Sequence, residues 1–187
     1  MSGKRVHFAG IGGIGMSAIA QALHHRGWQV TGCDLKPSAL TEKLQAQGIR
    51  VWKGHDPAHV HGCDVFVYTA AIHDNHPELQ AARLAGVQVL RRSQALQLLL
   101  EGHRGIAITG THGKTTTTAM VAAILESAGA DPQVLVGGEV PGYGGNVRLG
   151  KGKYVVVEAC EAYDSFLDLH PFAAIVTNVE AEHLDYY

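Results

Sequence analysis

Residues 5–20 read RVHFAGIGGIGMSAIA, and this stretch predicts how the first half of the chain begins to fold. The stretch Arg5–Ala9 predicts a β-strand, and the apolar spacing over Met16–His25 predicts an α-helix. Between them, Gly10–Gly15 is a glycine turn of the form G-x-G-x-x-G. Glycines in such a turn let the backbone approach a pyrophosphate, and the positive end of the following helix favours the anion. The stretch therefore predicts a nucleotide diphosphate site, with a tight packing turn that binds nothing as the alternative.

Asp34 is a second sign of a nucleotide site. It lies nineteen residues beyond Gly15, at the end of a second predicted strand over Gln29–Cys33. A carboxylate at this position can accept a hydrogen bond from a ribose hydroxyl. The turn and the acid together predict a nucleotide, but they leave open whether it is NAD, FAD or a UDP-sugar.

The rest of the chain continues the alternation of strands and helices. The further predicted helices are Ser38–Gln47, Pro77–Ala85, Ser93–Glu101 and Thr115–Ala128. The further predicted strands are Asp64–Tyr68, Val87–Leu90, Ile106–Thr109, Tyr154–Glu158 and Ala173–Thr177, and the glycine-rich stretch 137–152 is predicted to be a loop. This alternation implies an α/β fold with parallel strands and helices on both faces. A polar break at 102–105 predicts two domains, 1–103 and 104–187.

A second glycine turn opens the second domain. Residues 110–118, GTHGKTTTT, lie between a predicted strand and a predicted helix. Two residues separate the glycines, whereas the Walker A pattern has four. The backbone N–H groups can still cradle phosphates, Lys114 can reach the β- and γ-phosphate oxygens, and the Thr115 hydroxyl can bind Mg²⁺. The loop therefore predicts an ATP site, and a surface turn that happens to contain lysine is the alternative.

A Mg²⁺ ion at such a loop needs further ligands. Glu158 ends one predicted strand, and His183 follows the strand that ends at Thr177. Open α/β sheets place their sites at the ends of neighbouring strands. Both residues are therefore candidate ligands, with an ordinary polar residue at a strand end as the alternative for each.

The composition excludes several classes of protein. The 187 residues are 46% apolar and 17% charged, with a formal net charge of −2. A general binder of nucleic acids or membrane surfaces needs a basic excess, and no apolar run approaches the ~20 residues of a membrane span. The first residues lack a signal-peptide pattern. Three widely spaced cysteines indicate free thiols in a reducing cytoplasm.

The chain also contains twelve histidines, and three of them are close together. His55, His59 and His61 precede Cys63 in the stretch KGHDPAHVHGCD. Their spacing matches no zinc-binding pattern. The segment is therefore interpreted as a polar loop before a strand.

Four stretches of the chain resemble the Mur ligases. They are GIGGIGMSAIA (10–20), GTHGKTTTT (110–118), VEACEAYDSFLDLHP (157–171) and TNVEAEHLDYY (177–187). The resemblance covers the whole chain in order. It implies a Rossmann-like domain that binds a UDP-sugar, followed by the first part of a P-loop ATPase α/β domain, with a C-terminal amino-acid-binding domain absent from these residues.

The resemblance also implies an activity. The expected enzyme is a cytoplasmic ATP-dependent amide ligase of peptidoglycan precursor synthesis, using Mg²⁺. It joins L-alanine to the muramate carboxylate of UDP-N-acetylmuramate through an acyl phosphate. The alternatives are a relative that adds a tripeptide or D-glutamate, and a non-catalytic Rossmann nucleotide-binding module. The stretches SFLDLHP and EHLDYY favour L-alanine within the family.

The resemblance assigns roles to residues of this chain. The implied UDP-sugar site comprises Gly10, Gly12, Gly13, Ile14, Gly15, Asp34 and Thr69. The implied ATP loop comprises Gly110, Thr111, His112, Gly113, Lys114, Thr115 and Thr116. The implied catalytic residues are Lys114, Glu158 and His183, and the implied Mg²⁺ ligands are Thr115, Glu158 and His183.

The chain departs from the family in two ways. Many Mur ligases read EADES where residues 158–162 read EACEA, so Cys160 takes a usually acidic position while Glu158 is kept. The chain also ends early in the central domain. We therefore expect residues 1–187 alone to be inactive, an expectation that alanine-dependent phosphate release would refute.

Overall fold

The chain folds into two compact α/β units. The computed structural model describes residues 3–160 and 162–181. The units are Met1–Ala95 and Leu96–Tyr187, and the described residues of each form a five-stranded sheet. The α/β class that the alternation predicts is thereby confirmed. No helix in the described part of the chain is long and apolar enough to cross a bilayer.

The first unit is built on a fully parallel sheet. Its strands are β1 (Arg5–Ala9), β2 (Gln29–Asp34), β3 (Arg50–Lys53), β4 (Val65–Tyr68) and β5 (Gln88–Arg91). They lie in the order β3-β2-β1-β4-β5. The chain runs outward from β1 to β3 and then returns to β4 on the other side of β1. In an open parallel sheet this reversal leaves a crevice at the carboxyl ends of β1 and β4, where ligands bind.

Three helices belong to the first unit. They are α1 (Ile14–His25), α2 (Ala39–Ala46) and α3 (Pro77–Leu84), and a further helix, α4 (Arg92–Leu100), begins in the first unit and ends in the second. The stretch from Met16 to Leu23 in α1 is buried throughout. Ser38 caps α2 as predicted, because its hydroxyl accepts a hydrogen bond from the Thr41 N–H while the Thr41 hydroxyl accepts one from the Ser38 N–H. An N-cap of this kind contributes about 0.5–2 kcal/mol.

The second unit has a mixed sheet and one long helix. Its strands are β6 (Arg104–Thr109), β7 (Gln133–Val140), β8 (Gly145–Arg148), β9 (Tyr154–Glu158) and β10 (Ala173–Val176), and its helix is α5 (Lys114–Ser127). The order is β10-β6-β9-β7-β8, with β8 antiparallel to β7 and the other pairs parallel. Because β6, β9 and β10 are parallel neighbours, the segments that follow them share one edge of the sheet.

The predicted loop at 137–152 is wrong. Most of that stretch belongs to the hairpin β7–β8, joined by a short 3₁₀-helix over Pro141–Tyr143. Two glycines of the stretch are needed for close packing: a side chain on Gly150 or Gly152 would collide with carbonyl oxygens of residues 130–132. The edge strand β3 was not predicted, because its four residues RVWK carry charges at both ends.

Candidate functional site

The first glycine turn connects β1 to α1, as the sequence predicts. The N–H groups of Gly10 and Ile11 both donate to the Cys33 carbonyl, at 2.9 and 3.0 Å, and this ties the turn to the end of β2. Gly10 has a φ of +80°, which glycine adopts without strain. Gly13 precedes α1 as its N-cap without a side-chain cap. The turn therefore lies at the crevice between β1 and β4, with the positive end of a buried helix behind it.

Asp34 lies against the turn. Its Oδ2 accepts a hydrogen bond from the Gly12 N–H at 2.9 Å, and its Oδ1 accepts one from the Lys36 N–H at 3.3 Å. A Cβ on Gly12 would come within 2.8 Å of Oδ2, so only glycine lets the carboxylate approach this closely. The structure thus brings Asp34 to the predicted site and gives it a role in fixing the turn. Its predicted bond to a ribose hydroxyl stays a prediction.

Two further residues flank the turn. Thr69 directly follows β4, and its Cγ2 lies 3.1 Å from where a Cβ on Gly10 would be. Arg92 begins α4, and its Nη1 lies 2.7 Å from where a Cβ on Gly15 would be. Thr69 was predicted by resemblance, whereas Arg92 was missed. A guanidinium beside a glycine turn suits a pyrophosphate, but the link between Arg92 and Gly15 spans seventy-seven positions and carries no local sequence signal.

The second glycine turn connects β6 to α5. Gly110 and Gly113 have φ values of +127° and +82°. A side chain on Gly110 would also collide with Thr177 and Asn178. Lys114 begins α5, and its Nζ donates to the carbonyls of Gly110 and Thr111, at 2.5 and 3.1 Å. The ammonium group is therefore held over the loop that the sequence assigns to phosphates.

The segment after β10 holds this loop in place, which sequence reasoning missed. The His112 N–H donates to Asn178 Oδ1 at 2.9 Å, and the His112 carbonyl accepts from the Thr177 hydroxyl at 2.6 Å. The Thr111 hydroxyl accepts a hydrogen bond from the Glu180 N–H at 3.0 Å. The available signal was the position of residues 177–180 straight after a strand that neighbours β6. His183 lies outside the described residues, so its predicted role as a ligand stays a prediction.

Glu158 and Thr115 lie on either side of two consecutive glycines of β7. A Cβ on Gly137 would come within 2.5 Å of Glu158 Oε2, and a Cβ on Gly138 would lie 3.7 Å from Thr115 Cγ2. Glu158 ends β9, and its Oε1 is buried without a hydrogen-bond partner among the described residues. Thr115 is exposed at the start of α5. A buried carboxylate oxygen that has no partner among the described residues, at the sheet edge where β6 leads into α5, fits a hard cation such as Mg²⁺.

The segment 53–64 is more ordered than the predicted polar loop. Pro57–Val60 forms a short 3₁₀-helix whose N-cap is Asp56. His55 and His59 turn inward, and each contacts the buried carboxylate of Glu78, at 3.1 and 2.7 Å. The interpretation as a polar loop is therefore wrong for these two histidines, and His61 is the exposed member of the three.

Comparison with protein families and known structures supports both halves of this description. Residues 5–104 match the family profile described as "Mur ligase family, catalytic domain", and residues 108–187 match "Mur ligase middle domain". The UDP-N-acetylmuramate–L-alanine ligase of Caldanaerobacter subterraneus is 48% identical over 98% of this chain, and that of Symbiobacterium thermophilum is 50% identical over all of it. This chain spans about 40% of the length of these relatives.

Two solved structures have a similar fold. The UDP-N-acetylmuramate–alanine ligase of Thermotoga maritima superimposes with a TM-score of 0.87 at 36% identity, over 98% of this chain and 43% of its own. The UDP-N-acetylmuramate:L-alanyl-γ-D-glutamyl-meso-diaminopimelate ligase of Neisseria meningitidis has a TM-score of 0.86 at 30% identity. The superposition covers 98% of this chain and 63% of the Neisseria chain. The profile match at 5–104 alone covers more than half of the sequence, and each glycine turn lies near the start of one profile. The chain therefore belongs to the Mur ligase family.

Proposed function

We propose that this chain supplies the UDP-sugar-binding and ATP-binding parts of a cytoplasmic, ATP-dependent amide ligase. The proposed enzyme joins L-alanine to the muramate carboxylate of UDP-N-acetylmuramate, in peptidoglycan precursor synthesis. Residues 1–103 bind the UDP-sugar and residues 104–187 begin the ATP-binding domain. The observation that carries the proposal is the buried Oε1 of Glu158, which has no hydrogen-bond partner within residues 3–160 and 162–181. This oxygen lies at the same edge of the sheet as the lysine-bearing turn that follows β6.

The first turn is the proposed site for the diphosphate of the UDP-sugar. The N–H groups at the start of α1 and the Arg92 guanidinium supply positive charge, and the Gly13 backbone is exposed at the turn. Thr69 lies on the other side of the crevice. Asp34 then shapes the turn through Gly12, and its remaining lone pairs are available to a ribose hydroxyl.

The second turn is the proposed site for the ATP triphosphate. The Gly113 and Lys114 N–H groups lie at the start of α5, where the helix dipole favours anions. Lys114 already lies over the loop, so its ammonium can move from the Gly110 carbonyl to a phosphate oxygen with little displacement. Thr115 and Glu158 would hold Mg²⁺, with His183 as the third protein ligand. The ion would supply positive charge against the phosphate oxygens during transfer.

The proposed reaction has two steps. A muramate carboxylate oxygen attacks the γ-phosphorus of ATP, the bond to the bridging oxygen breaks, and ADP leaves. The alanine amine then attacks the acyl carbon, phosphate leaves, and the amine loses a proton as the amide forms. Positioning and charge neutralisation carry such a transfer, and Lys114 provides both.

The choice of L-alanine rests on the degree of similarity. Relatives at 48–50% identity are named as L-alanine ligases, whereas the tripeptide-adding neighbour is 30% identical. The second candidate is therefore a ligase that adds a tripeptide. Both candidates use the same two glycine turns.

A chimera tests the proposal. The corresponding segment of the Caldanaerobacter ligase is replaced by this chain, and phosphate release is measured with ATP, UDP-N-acetylmuramate and L-alanine. A matched chimera carries the Symbiobacterium segment instead, which is 50% identical to this chain. We expect release that needs both the UDP-sugar and L-alanine, and that is lost with Lys114→Met. A folded but inactive chimera beside an active Symbiobacterium control would contradict the proposal.

A further inference from the structure

A cluster of imidazoles, a thiol and a carboxylate lies inside the first unit, on the face of the sheet that packs against α3. Its centre is Glu78, the second residue of α3, whose side chain is fully buried. The other members come from β1 (His7), from β2 (Cys33) and from the segment before and within the 3₁₀-helix (His55 and His59). None of these residues has a part in the proposed ligase chemistry.

The ligating atoms are close enough to share one ion. One donor atom from each of His7, Cys33, His59 and Glu78 lies within 4.8 Å of every other. The Cys33 Sγ is 3.2 and 3.1 Å from the two Glu78 oxygens, and the His7 Nε2 is 3.7 Å from Glu78 Oε1. Four donors placed tetrahedrally around zinc are about 3.3–3.7 Å apart. The His59 Nδ1, at 2.7 Å from Oε1, must move outward by less than an ångström.

His7 points a lone pair into the cluster. Its Nδ1 lies 2.9 Å from the Thr31 hydroxyl, which itself donates to the Val6 carbonyl at 3.4 Å. When the hydroxyl makes the bond to Val6, it accepts from Nδ1–H, and this is the tautomer in which Nε2 carries the lone pair that a metal needs. Nε2 is fully buried and has no hydrogen-bond partner among the described residues. This nitrogen lies 3.7 Å from Glu78 Oε1, and in this tautomer neither atom has a proton to donate to the other. A cation between the two atoms would satisfy both lone pairs.

The surroundings orient the donors before any ion binds. The hydrogen bond from Nδ1 to Thr31 fixes the His7 ring, as partners of the second ring nitrogen do for ligating histidines. The His59 ring stacks on Trp52, with centroids 4.5 Å apart and planes at 18°. The Asp56 N–H donates to Glu78 Oε1 at 3.2 Å, and His55 Nδ1 lies 3.1 Å from Oε2. These contacts therefore fix the orientation of the buried Glu78 carboxylate.

The burial of Glu78 favours a cation at the centre. Its carboxylate is fully buried, and three imidazoles and one thiol surround it, from His7, His55, His59 and Cys33. A buried carboxylate is costly unless a positive charge accompanies it, and a metal ion bound by these donors supplies that charge.

We propose that His7, Cys33, His59 and Glu78 form a binding site for one Zn²⁺ ion or a similar borderline transition-metal ion. Two imidazoles, one thiolate and one carboxylate match the donor preference of zinc and do not match that of Mg²⁺ or Ca²⁺. The Cys33 thiol loses its proton to solvent as the metal–sulfur bond forms. Four protein ligands leave no open position, so the site is structural and not catalytic.

Such a site would stabilise the first glycine turn through Cys33. It would join β1, β2, the 3₁₀-helix and α3 through one ion. The Cys33 carbonyl already accepts the Gly10 and Ile11 N–H groups, so fixing Cys33 fixes the turn. The sequence alone did not indicate the site, because its ligands are spread over positions 7, 33, 59 and 78 and match no short motif.

Cobalt spectroscopy on the reduced, chelator-treated chain tests the proposal. Co²⁺ reports a thiolate ligand through a sulfur-to-cobalt charge-transfer band and a tetrahedral site through intense visible bands. We expect both to saturate at about one equivalent and to be displaced by Zn²⁺. Cys33→Ala should abolish the charge-transfer band and His59→Gln should weaken binding at least about tenfold. The matched controls Cys63→Ala and His61→Gln should bind as the parent does.

The outcomes separate clearly. A folded, reduced parent chain without a saturable band would overturn the proposal and leave a proton-sharing network. A band that persists in Cys33→Ala would assign the thiolate to Cys63 or Cys160, and would overturn it too. Should Cys33→Ala fail to fold, the double variant Cys63→Ala, Cys160→Ala decides, because Cys33 is then the one cysteine left in the sequence and the band must remain.

Discussion

The carboxylate of Glu158 occupies the space that a side chain on Gly137 would need. A Cβ built on Gly137 falls 2.5 Å from Glu158 Oε2, whereas one built on the next residue, Gly138, has Thr115 Cγ2 as its nearest neighbour at an ordinary 3.7 Å. Glu158 ends β9, which neighbours both β6 and β7. The glycine in β7 therefore lets the Glu158 carboxylate occupy the sheet edge where the second glycine turn begins.

The two adjacent glycines give a matched pair of variants. Gly137→Ala should displace the carboxylate of Glu158, which is the far end of a flexible side chain, and so weaken Mg²⁺-dependent ATP binding while lowering the free energy of unfolding by no more than about 1 kcal/mol. Gly138→Ala should change the free energy of unfolding by no more than about 0.5 kcal/mol. Denaturant unfolding and ATP titration with and without Mg²⁺ measure both effects. Equal effects of the two substitutions would show that Glu158 is not held where the structure places it.

Lys114 should be required for ATP binding. Its Nζ donates hydrogen bonds to the Gly110 and Thr111 carbonyls. From this position the ammonium group can donate to phosphate oxygens instead. Lys114→Met should weaken ATP binding by at least about tenfold, since a charge-assisted hydrogen bond contributes about 1.5–3 kcal/mol. The control is Lys151→Met, which removes an exposed ammonium from the same unit. ATP affinity that is unchanged in Lys114→Met would exclude the proposed phosphate loop.

Gly13 should matter for ligand binding and not for the stability of the fold. A Cβ on Gly13 would lie 3.6 Å or more from the nearest atoms, and its φ of −67° suits any residue. Gly13→Ala should therefore melt within a few degrees of the parent but bind the UDP-sugar at least about tenfold more weakly, because the added methyl group blocks the approach of the pyrophosphate. Gln80→Ala, at an exposed position of α3, is the control. Parent-like binding by Gly13→Ala would remove the turn from the diphosphate site.

Both glycine turns were predictable because their signal is local. In each case a strand, a glycine turn and a helix follow one another directly, over residues 5–25 and 104–127, and the structure confirms all of these elements. The hairpin β7–β8 was not predictable from the same rules. Gly137 in β7 makes room for Glu158, which is distant in sequence, and Gly150 just after β8 packs against the backbone of residues 131 and 132. In the sequence alone, such glycines look like loop glycines.

The residues that sequence reasoning missed act over long separations. Asn178 reaches the loop at His112 across sixty-six positions, and Arg92 reaches Gly15 across seventy-seven. His55 and His59 are close in sequence, but the carboxylate that they contact, Glu78, lies in another element. These partners come together because of the order of the strands in the sheet and the packing of the helices on it. Local sequence patterns predict strands and helices but not their order in the sheet.

Tyr143 gives a pH-dependent test of the hairpin. Its hydroxyl donates to Glu126 Oε1 at 2.8 Å; burial, and then this bond, raise the pKa of Tyr143 from 10.0 to about 12. Because the folded-state pKa lies above the unfolded one, the protonated tyrosine contributes stability that is complete below pH 10 and is lost as the pH rises through about 12. Tyr143→Phe should lower the free energy of unfolding at neutral pH by about 1 kcal/mol.

Tyrosinate absorbance measures this directly. The parent and Tyr143→Phe are titrated in parallel, and the difference between the two curves is the titration of Tyr143. We expect that difference to rise near pH 12. A difference centred on the ordinary tyrosine value would mean that the bond to Glu126 does not form in solution.

The proposed binding of a UDP-sugar at the first glycine turn can be measured by calorimetric titration of the chain with UDP-N-acetylmuramate, with NAD as the rival ligand. We expect saturable binding of about one UDP-N-acetylmuramate per chain and none of NAD, with a melting curve that shows the protein folded. Binding of NAD and not of the UDP-sugar by the folded chain would instead identify an ordinary dinucleotide-binding domain and exclude the proposed UDP-sugar site.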